Sequence, residues 1–564
     1  MSDWDYLIVG GGTAGSVLAS RLSEDPNCRV LLVEAGRDHA PGREPRSIVD
    51  PYPSSYGDPR FSWPGLVAEI GADRGDGTPR ASRGFVQGRL IGGSSSIMGM
   101  MATRGGPEDY DDWRARGAVG WGWDDVLPYF RKLEQDLDFD GPMHGDSGPI
   151  PIRRHMRDQW PGFSLAVARA LERKGFRYVA DYNGEYGEGF GPLPMNNLPD
   201  RRVSAATAYL TPSVRQRSNL TILAETTIER LVIEQGRVRG IELRRGERID
   251  AWETIVCAGA IHSPVLLMRS GIGPMRQLRD AGIDVVHAND GVGANLSNHI
   301  MMPLAVYLPA AARQSAHMRA WPSNILRFSS NVAGCPANDL HIFPNNRTSW
   351  HPLGRHVGAL GIGLRKPFST GSVTLGEQPL DPPKVRFNIL DDDRDMRRLS
   401  MAVRLGCELL LDEDVRNMRR EIFLPAGGQA NRLNRPTIGN AVRSAAITGL
   451  FGLSGTLRRA LLRKHLVNPA ELLGNDQALR DIILRHAAPV HHASGTCRMG
   501  DPADPGVVVD PRCRVVGVDG LRVVDASIMP SIVSGNPHIP VIMMAERAVD
   551  LIRGSIQQEE REDL

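Results

Sequence analysis

The N-terminal residues alternate between continuous apolar runs and one apolar face at helical spacing. Residues 5–9 (DYLIV) form the first run, and a glycine-rich turn follows them. Residues 16–24 (SVLASRLSE) then place apolar side chains at helical spacing, and a second apolar run over 29–33 ends at Glu34. The pattern predicts a buried strand, a helix and a second buried strand.

Later segments show shorter alternating runs. Residues 371–377 (GSVTLGE) and 382–390 (PPKVRFNIL) read as strands, which we expect in a mainly antiparallel sheet. Residues 541–552 (VIMMAERAVDLI) have a helical pattern, so that His538 is expected at or just before a helix N-terminus. Residues 38–80, rich in Pro, Gly, Asp and aromatic residues, predict a loop.

Residues 426–472 stand apart because leucines at helical spacing accompany many cations and one acid, Glu471. The cations are Arg432, Arg435, Arg443, Arg458, Arg459, Arg463 and Lys464. A basic amphipathic helix of this kind can pack over the mouth of a site, form a subunit contact or lie on an anionic membrane surface. The sequence leaves these three alternatives open.

The glycines after the first strand have the spacing G-x-G-x-x-G. Gly10 allows the turn out of the strand, Gly12 leaves room for a pyrophosphate, and Gly15 lets helix and strand pack closely. The helix N-terminus offers free N–H groups and a partial positive charge to phosphates. Glu34 lies at the distance expected of a ribose-binding carboxylate. The pattern predicts a dinucleotide site but does not distinguish FAD from NAD.

A second glycine-rich segment covers residues 88–106 (GRLIGGSSSIMGMMATRGG). Gly92, Gly93 and the three serines after them supply N–H groups and hydroxyls that suit a pyrophosphate or a flavin edge. The apolar stretch that follows must be buried, which argues against a flexible linker. We therefore predict a second cofactor contact here.

The bulk composition restricts the classes of protein. A chain of 564 residues predicts two to four domains. A formal charge of +2 gives no reason to expect nucleic acid as a partner. Six cysteines without paired spacing fit a reducing compartment and argue against a disulfide framework or a zinc site. The chain opens without a secretory signal pattern and has no apolar run of about 18 residues, so we expect a cytoplasmic protein.

Six segments together resemble the glucose–methanol–choline (GMC) oxidoreductase family, in the manner of its choline and alcohol dehydrogenases. They are residues 10–15 with Glu34, 88–97, 259–273, 291–299, 491–500 and 523–552. The resemblance implies an α/β fold in which a Rossmann-type FAD-binding domain carries a second, α+β substrate domain. That second domain would be built on a mainly antiparallel sheet covering the flavin.

The resemblance also implies which residues hold FAD. Glu34 would bind the adenosine ribose, Ile228 the adenine through its backbone, and Asp525 with Ala526 would close over the pyrophosphate and ribityl chain; Asp525 is equally suited to cap a helix. The full predicted set is Gly10, Gly12, Thr13, Ala14, Gly15, Glu34, Ala35, Gly92, Gly93, Ser94, Met98, Gly99, Ile228, Asp525, Ala526, His538 and Ile539.

Two positions depart from the family pattern. Met98 stands where the family usually has Asn, which leaves backbone contact as its expected interaction with the flavin. Ile97 stands where some members link FAD covalently through His, so the FAD is expected to be non-covalent.

The resemblance places the catalytic residues at His492 and His538. Oxidation of an alcohol needs a base for the hydroxyl proton, a partner for the developing alkoxide and a hydride acceptor, which is flavin N5. We expect His492 to be the base and His538 to position the substrate oxygen, although the two roles could be reversed. His491 is expected to point elsewhere, His262 and His299 receive no role, and no metal is expected because no third ligand has suitable spacing.

By the same resemblance, the FAD-binding domain comprises residues 1–150, 205–300 and 485–564, and the substrate domain 151–204 and 301–484. The expected partners are a small-molecule alcohol and an electron acceptor, oxygen or a quinone. Two rival functions remain: a lyase of the same fold that splits cyanohydrins without net redox, and a flavoprotein without catalysis. The alcohol, the acceptor and the oligomeric state are not determined by the sequence.

Overall fold

Two seven-stranded sheets organise the molecule. A computed structural model describes residues 3–71, 81–315, 317–319, 321–424 and 432–562, with backbone alone for 555–562. One sheet is mainly parallel and carries the N-terminal strand. The other is antiparallel and is built from the middle of the chain. The predicted division into a Rossmann-type unit and an α+β unit is therefore confirmed.

The parallel sheet forms because its strands Trp4–Val9 and Val30–Val33 are largely apolar and buried, and they pair with strands distant in sequence. Its parallel strands, in spatial order, are Leu220–Leu223, Val30–Val33, Trp4–Val9, Arg248–Val256 and Leu521–Val523. Two antiparallel strands, Arg237–Leu243 and Ile228–Glu234, extend it beside Arg248–Val256. The carboxyl ends of the parallel strands meet at one edge, where an open α/β sheet binds its ligand.

Helices cover the parallel sheet and join the two ends of the chain. The helix Thr13–Leu22 follows the first strand, and the C-terminal helix His538–Glu562 packs against it. Arg21 pairs with the buried carboxylate of Glu546 at 2.8 Å, and the Tyr209 hydroxyl donates to the same carboxylate at 2.9 Å. Because Glu546 is fully buried, losing either partner would leave part of its charge uncompensated.

The antiparallel sheet confirms the prediction for the substrate domain. Its strands in spatial order are Ile422–Phe423, Ile300–Tyr307, Val357–Leu364, Leu340–Asn345, Asn324–Phe328 and Gly189–Pro192, with Ala488–Pro489 also paired to Ile300–Tyr307. The helix Asp393–Leu411 packs against the strands Val357–Leu364 and Leu340–Asn345, and it buries residues such as Leu399, Val403 and Leu410. The domain boundaries themselves remain predictions.

The placement of the segments 371–377 and 382–390 in that sheet is wrong. Both form strands, Ser372–Thr374 and Lys384–Ile389, but these belong to a separate four-stranded sheet with Val67–Gly71 and Ser82–Gly84. The predicted loop 38–80 therefore contributes a strand, Val67–Gly71, and a short helix, Arg46–Val49; residues 72–80 lie outside the described part.

The remaining elements connect these sheets. Two small sheets pair Ile272–Gly273 with His287–Ala288 and Glu134–Asp136 with Ile150–Ile152. The other helices are Pro107–Ala115, Trp123–Leu133, Gly162–Arg173, Ala205–Tyr209, Pro212–Arg215, Gly259–Arg269, Met275–Asp280, Glu413–Asn417, Ile438–Leu453, Gly455–Leu462, Pro469–Gly474 and Asp476–His486.

The basic segment is helical in its described part, as predicted, while residues 425–431 lie outside that part. Phe451 and Leu462 from the helices Ile438–Leu453 and Gly455–Leu462 join a buried cluster with Tyr307 and Phe423 of the antiparallel sheet. Across the described ranges, each helix falls short of the combined length and apolar character that crossing a bilayer requires.

Candidate active site

One cavity of about 1160 Å³ runs from the glycine-rich turn to the antiparallel sheet. This volume exceeds the roughly 300–1,000 Å³ usual for a single drug-sized ligand, so it has room for a dinucleotide and a second molecule. Gly12 and Glu34 line one part, and His492 and His538 line another. The cavity therefore unites the predicted nucleotide and catalytic residues.

The glycine-rich turn has the geometry of a phosphate cradle. Gly10 has φ +101°, and a Cβ there would lie 2.7 Å from the Cys257 carbonyl oxygen. A Cβ on Gly15 would lie 1.9 Å from the Gly10 carbonyl oxygen, which explains the close helix–strand packing. A Cβ on Gly12 would instead lie at an ordinary contact distance, 3.9 Å from the Cys257 carbonyl oxygen. Gly12 precedes a helix whose N-terminus has no side-chain cap and no acid in its first turn. The free N–H groups of this turn suit a pyrophosphate.

Glu34 is held rigidly at the end of the second strand. Its carboxylate accepts from Gly11 N at 2.8 Å and from Gly36 N at 2.7 Å. Burial raises the pKa of Glu34 to about 7, although these two N–H donors oppose the rise. Each carboxylate oxygen retains a second acceptor site, so ribose hydroxyls can still donate to it.

The second glycine-rich segment forms the opposite wall. A Cβ on Gly93 would lie 2.8 Å from the Gly12 Cα, so the two glycine turns touch. Ser94, Met98 and Gly99 line the cavity. The backbone N–H of Met98 donates to Ser94 O at 3.0 Å and its carbonyl accepts from Arg202, which leaves van der Waals contact as its main route to a ligand.

Asp525 acts as a cap as well as lining the cavity. Its Oδ1 accepts from Ser527 N at 2.7 Å, and its Oδ2 accepts from Gly259 N at 2.8 Å and Ser263 Oγ at 2.6 Å. Burial raises its pKa. The carboxylate thus ties the strand end near the cavity to the helix Gly259–Arg269.

Three of the predicted cofactor residues do not line the cavity: Gly15, Gly92 and Ile539. Gly15 is packed against the strand, as described above. Gly92 has φ +87° and sits in the turn before Gly93, and Ile539 is fully buried in the C-terminal helix. The other residues of the set do line it: Gly10, Gly12, Thr13, Ala14, Glu34, Ala35, Gly93, Ser94, Met98, Gly99, Ile228, Asp525, Ala526 and His538.

A chain of hydrogen bonds fixes the tautomer of His492. His299 Nε2 lies 2.8 Å from the Val533 carbonyl, which only accepts, so this nitrogen carries the proton. His299 Nδ1 is then an acceptor, and it lies 2.8 Å from His492 Nδ1. His492 must donate there, which leaves the lone pair of a neutral imidazole on its Nε2.

Asn536 meets that lone pair. Its Nδ2 donates to His492 Nε2 at 3.1 Å. Its amide orientation is set by Thr103, whose hydroxyl accepts from Asn536 N at 2.8 Å and donates to Asn536 Oδ1 at 2.9 Å. A substrate hydroxyl that donates to His492 Nε2 therefore has to take the position of the Asn536 amide nitrogen.

His538 presents the opposite polarity. It is the first residue of the C-terminal helix, and its Nε2 accepts from Asn196 Nδ2 at 3.3 Å. The proton is then on Nδ1, which is buried without a hydrogen-bond partner among the described residues. An unpartnered N–H beside a cavity is costly unless a ligand accepts from it.

Both imidazoles are neutral at physiological pH. Burial, followed by neighbouring His299 and His491, holds the pKa of His492 well below its usual 6.5. Burial, followed by Arg202, lowers the pKa of His538 to about 4. Burial is also the main cause that lowers the pKa of His299 to about 3. Once a substrate hydroxyl replaces Asn536 Nδ2 at His492 Nε2, neutral His492 can act as a base, and His538 is a neutral donor.

Two family models together cover most of the chain, matching residues 4–301 and 367–545, and both describe GMC oxidoreductases. The chain belongs to the GMC oxidoreductase family. Members of this family use FAD and oxidise alcohol groups, and this chain is an FAD-dependent enzyme of that kind. The glycine cradle, the capless helix N-terminus and the Glu34 carboxylate fit that cofactor.

Similar proteins match over nearly the full chain. A 5-(hydroxymethyl)furfural oxidase from Methylovorus sp. (strain MP688) is 36% identical over 571 residues, covering 97% of this chain and 98% of that protein. An oxygen-dependent choline dehydrogenase from Sinorhizobium fredii is 34% identical, with 98% and 95% covered. The crystal structure of pyridoxine 4-oxidase from Mesorbium loti aligns with a TM-score of 0.79 at 30% identity, with 97% and 99% covered.

His491 and His262 are engaged elsewhere in the cavity wall. His491 Nε2 accepts from the Tyr56 hydroxyl at 2.6 Å and its Nδ1 donates to the Val86 carbonyl at 3.1 Å, so neither nitrogen is free to act as a base. His262 stacks on Trp63 with ring centroids 4.1 Å apart, and its Nδ1 bonds to Gln87. This geometry agrees with the expectation that the His491 side chain points elsewhere.

One group of potential metal ligands lies in the described residues, outside the cavity lining: Glu134, Asp136 and His144. Arg154 Nη1 contacts Asp136 at 2.8 Å, and Arg104 contacts Glu134. Burial opposes protonation of His144, but Asp136, Asp181 and Glu134 together raise its pKa to about 10. Because arginines and a protonated histidine already neutralise these acids, the cluster is an ion-pair network rather than a metal centre.

Sequence reasoning missed His299, Asn536 and Thr103 as parts of the site. His299 had been noted without a role, and its contact with His492 spans 193 residues of sequence. Asn536 lies two residues before His538, and this proximity is the one local signal that could have indicated it.

Proposed function

We propose that this protein oxidises an alcohol to the carbonyl compound, with His492 as the base and His538 as the donor that holds the substrate oxygen. The observation that supports it is the opposite polarity of the two imidazoles in one cavity: a lone pair at His492 Nε2 and an unpartnered N–H at His538 Nδ1. The nucleotide turn contributes to the same cavity.

The side chains then have separate tasks. His492 Nε2 takes the hydroxyl proton. Its Nδ1–H continues to donate to His299 Nδ1, and this hydrogen bond holds the ring in place. His538 Nδ1–H donates to the oxygen as negative charge develops there, which lowers the barrier more than it stabilises the neutral alcohol. Bound FAD, held non-covalently, supplies the hydride acceptor.

The cavity favours a neutral aromatic alcohol over a cationic one. The cavity wall includes Met101, Trp321, Ile325 and Phe343 as well as the two histidines. The acids among the described lining residues are Glu34, Asp381 and Asp525, and the first and last are bonded at the nucleotide end. A quaternary ammonium group would thus meet aromatic faces but no free carboxylate beside the base. The similar oxidase named for hydroxymethylfurfural supports a hydroxymethyl group on an aromatic ring.

Anaerobic mixing with alcohols tests both the reaction and the substrate class. We expect furfuryl or benzyl alcohol to bleach the flavin with a second-order rate constant at least about tenfold above that of choline, which corresponds to about 1.4 kcal/mol. A lyase of this fold would show no bleaching with any alcohol and would split a cyanohydrin. A flavoprotein without catalysis would do neither.

The acceptor is oxygen or a quinone, and the enzyme works in the cytoplasm or at a membrane surface. Reoxidation of the reduced enzyme with air and with a soluble quinone, measured by the return of flavin absorbance, separates the two acceptors. A rate with air that accounts for turnover supports an oxidase, and reoxidation by quinone alone supports a dehydrogenase.

A further inference from the structure

The helix Ile438–Leu453 presents an apolar face to solvent. Its outward positions include Ile438 at 85% exposed, Val442 at 64%, Leu450 at 45% and Leu453 at 75%. These residues fall within one half of the helix surface and run along its whole length of four turns. Alanines and glycines fill the positions between them: Gly439, Ala445, Ala446, Gly449 and Gly452.

The next helix, Gly455–Leu462, which contacts the first, also exposes large apolar side chains. Leu457 and Leu461 are 36% and 52% exposed, and Leu466 just beyond the helix is 41% exposed. Of the sixteen large hydrophobic side chains that are exposed in the described residues, seven lie between 438 and 466. We call the surface formed by these seven exposed side chains the apolar face. Concentration of this kind marks an interaction surface, whereas scattered exposed apolar residues do not.

The opposite sides of both helices are already used for packing. Phe451 and Leu462 are buried in the cluster with Tyr307, and Ile447 packs against it. Arg458 is buried and paired with Glu421. The buried sides of the two helices therefore pack against the antiparallel sheet. The apolar face has no partner in the part of the chain that the structure describes.

Positive charge lies close in sequence to the apolar face. Arg443 lies at its edge, and Arg432, Arg435, Arg463 and Lys464 are exposed nearby in sequence. No Asp or Glu occurs between Glu421 and Glu471, and Glu421 is occupied by Arg458 and Arg459. These five cations consequently have no acid within their own segment.

We infer that the apolar face docks on an anionic phospholipid bilayer. The helix is 16 residues long and lacks the length to cross the membrane, but it can lie in the interface with its apolar side among the acyl chains and its cations on lipid phosphates. A symmetric contact with a second copy fits less well, because it would bring two rims of like charge together. This inference does not depend on the proposed reaction.

Docking would bring the cavity wall close to the membrane. Asn434 and His465, at either end of the same segment, line the cavity, and Asn434 is anchored by the Trp350 indole N–H at 2.7 Å. An acceptor or substrate that partitions into lipid would then be concentrated near the enzyme.

Vesicle sedimentation with the FAD-loaded enzyme tests the inference. We expect at least about tenfold more protein to pellet with vesicles that are about one third phosphatidylglycerol than with pure phosphatidylcholine, and the difference to vanish at about 1 M salt. Val442→Glu should lower binding to the anionic vesicles about tenfold, and the pair Arg463→Gln with Lys464→Gln should lower it by a similar factor.

Val119→Glu is the matched control, since Val119 is a 71% exposed valine elsewhere on the surface. Flavin absorbance and activity on a soluble alcohol should be unchanged in all three variants, which excludes misfolding as the cause. Equal pelleting with both vesicle types, absence of pelleting at low salt, or equal loss in Val119→Glu and Val442→Glu would overturn the inference. So would a dimer that Val442→Glu dissociates in sedimentation velocity without any vesicle binding, because the face would then be a subunit interface.

Discussion

His299 should control the rate of alcohol oxidation without touching the substrate's reacting atoms. In His299→Leu, His492 loses the acceptor for its Nδ1–H, which is a buried donor. An unsatisfied buried donor costs about 1–3 kcal/mol, and once the substrate hydroxyl has displaced Asn536 Nδ2 the ring escapes this cost by moving its proton to Nε2. That tautomer has no lone pair for the substrate hydroxyl. The base-competent form should therefore become about 5- to 150-fold rarer, with an equal loss in the rate of flavin reduction.

His299→Asn separates this effect from simple loss of packing. An asparagine amide oxygen can replace imidazole Nδ1 as the acceptor, so this variant should recover most of the reduction rate, measured anaerobically by stopped flow. Both variants should keep FAD, because the nucleotide turn is not altered. Equal rates for wild type and His299→Leu, or equal slowing in Leu and Asn variants, would refute the tautomer argument.

Three further predictions follow from the same geometry. His492→Gln should retain the flavin spectrum while flavin reduction slows about 10²- to 10⁴-fold, and retention of the wild-type rate would remove His492 as the base. Gly12→Ala, whose methyl group points into the cavity, should fold but bind FAD at least about tenfold more weakly in titration, a loss of about 1.4 kcal/mol. Gly15→Ala should instead lower Tm, because its methyl group would collide with Gly10. The free energy of unfolding should fall between pH 7 and pH 4. In this range the histidines of the unfolded chain, with pKa values near 6.5, take up protons, whereas His299 and His538 in the folded protein, with pKa values of about 3 and 4, do not. A Tm at pH 5 equal to that at pH 7 would contradict this prediction.

The nucleotide half of the site could be predicted from sequence because its signals are local. The strand, the three glycines and Glu34 lie within the first 34 residues, and each glycine has the steric role expected of it. The antiparallel character of the second sheet was indicated by the family resemblance, since the two alternating segments expected in that sheet lie in the four-stranded sheet instead. The four-stranded sheet was not, because Lys384–Ile389 pairs with Val67–Gly71 across more than 300 residues, and periodicity carries no information on partners.

The catalytic half was only partly predictable. Family resemblance indicated His492 and His538, but their donor and acceptor roles depend on Asn196, Asn536 and His299, which reach them from other elements. A tautomer is decided by hydrogen-bond partners in space, so no pattern along the chain can reveal it.

The position of Leu521–Val523 beside Arg248–Val256 has a consequence for biosynthesis. The phosphate turn leaves the ribosome about 500 residues before the edge strand of its sheet and the helix that carries His538. Until then the nascent chain exposes an unpaired strand edge and apolar surface, the condition in which large α/β chains aggregate. Cofactor capture is consequently a late event, and flavin supply during expression should govern the yield of active enzyme.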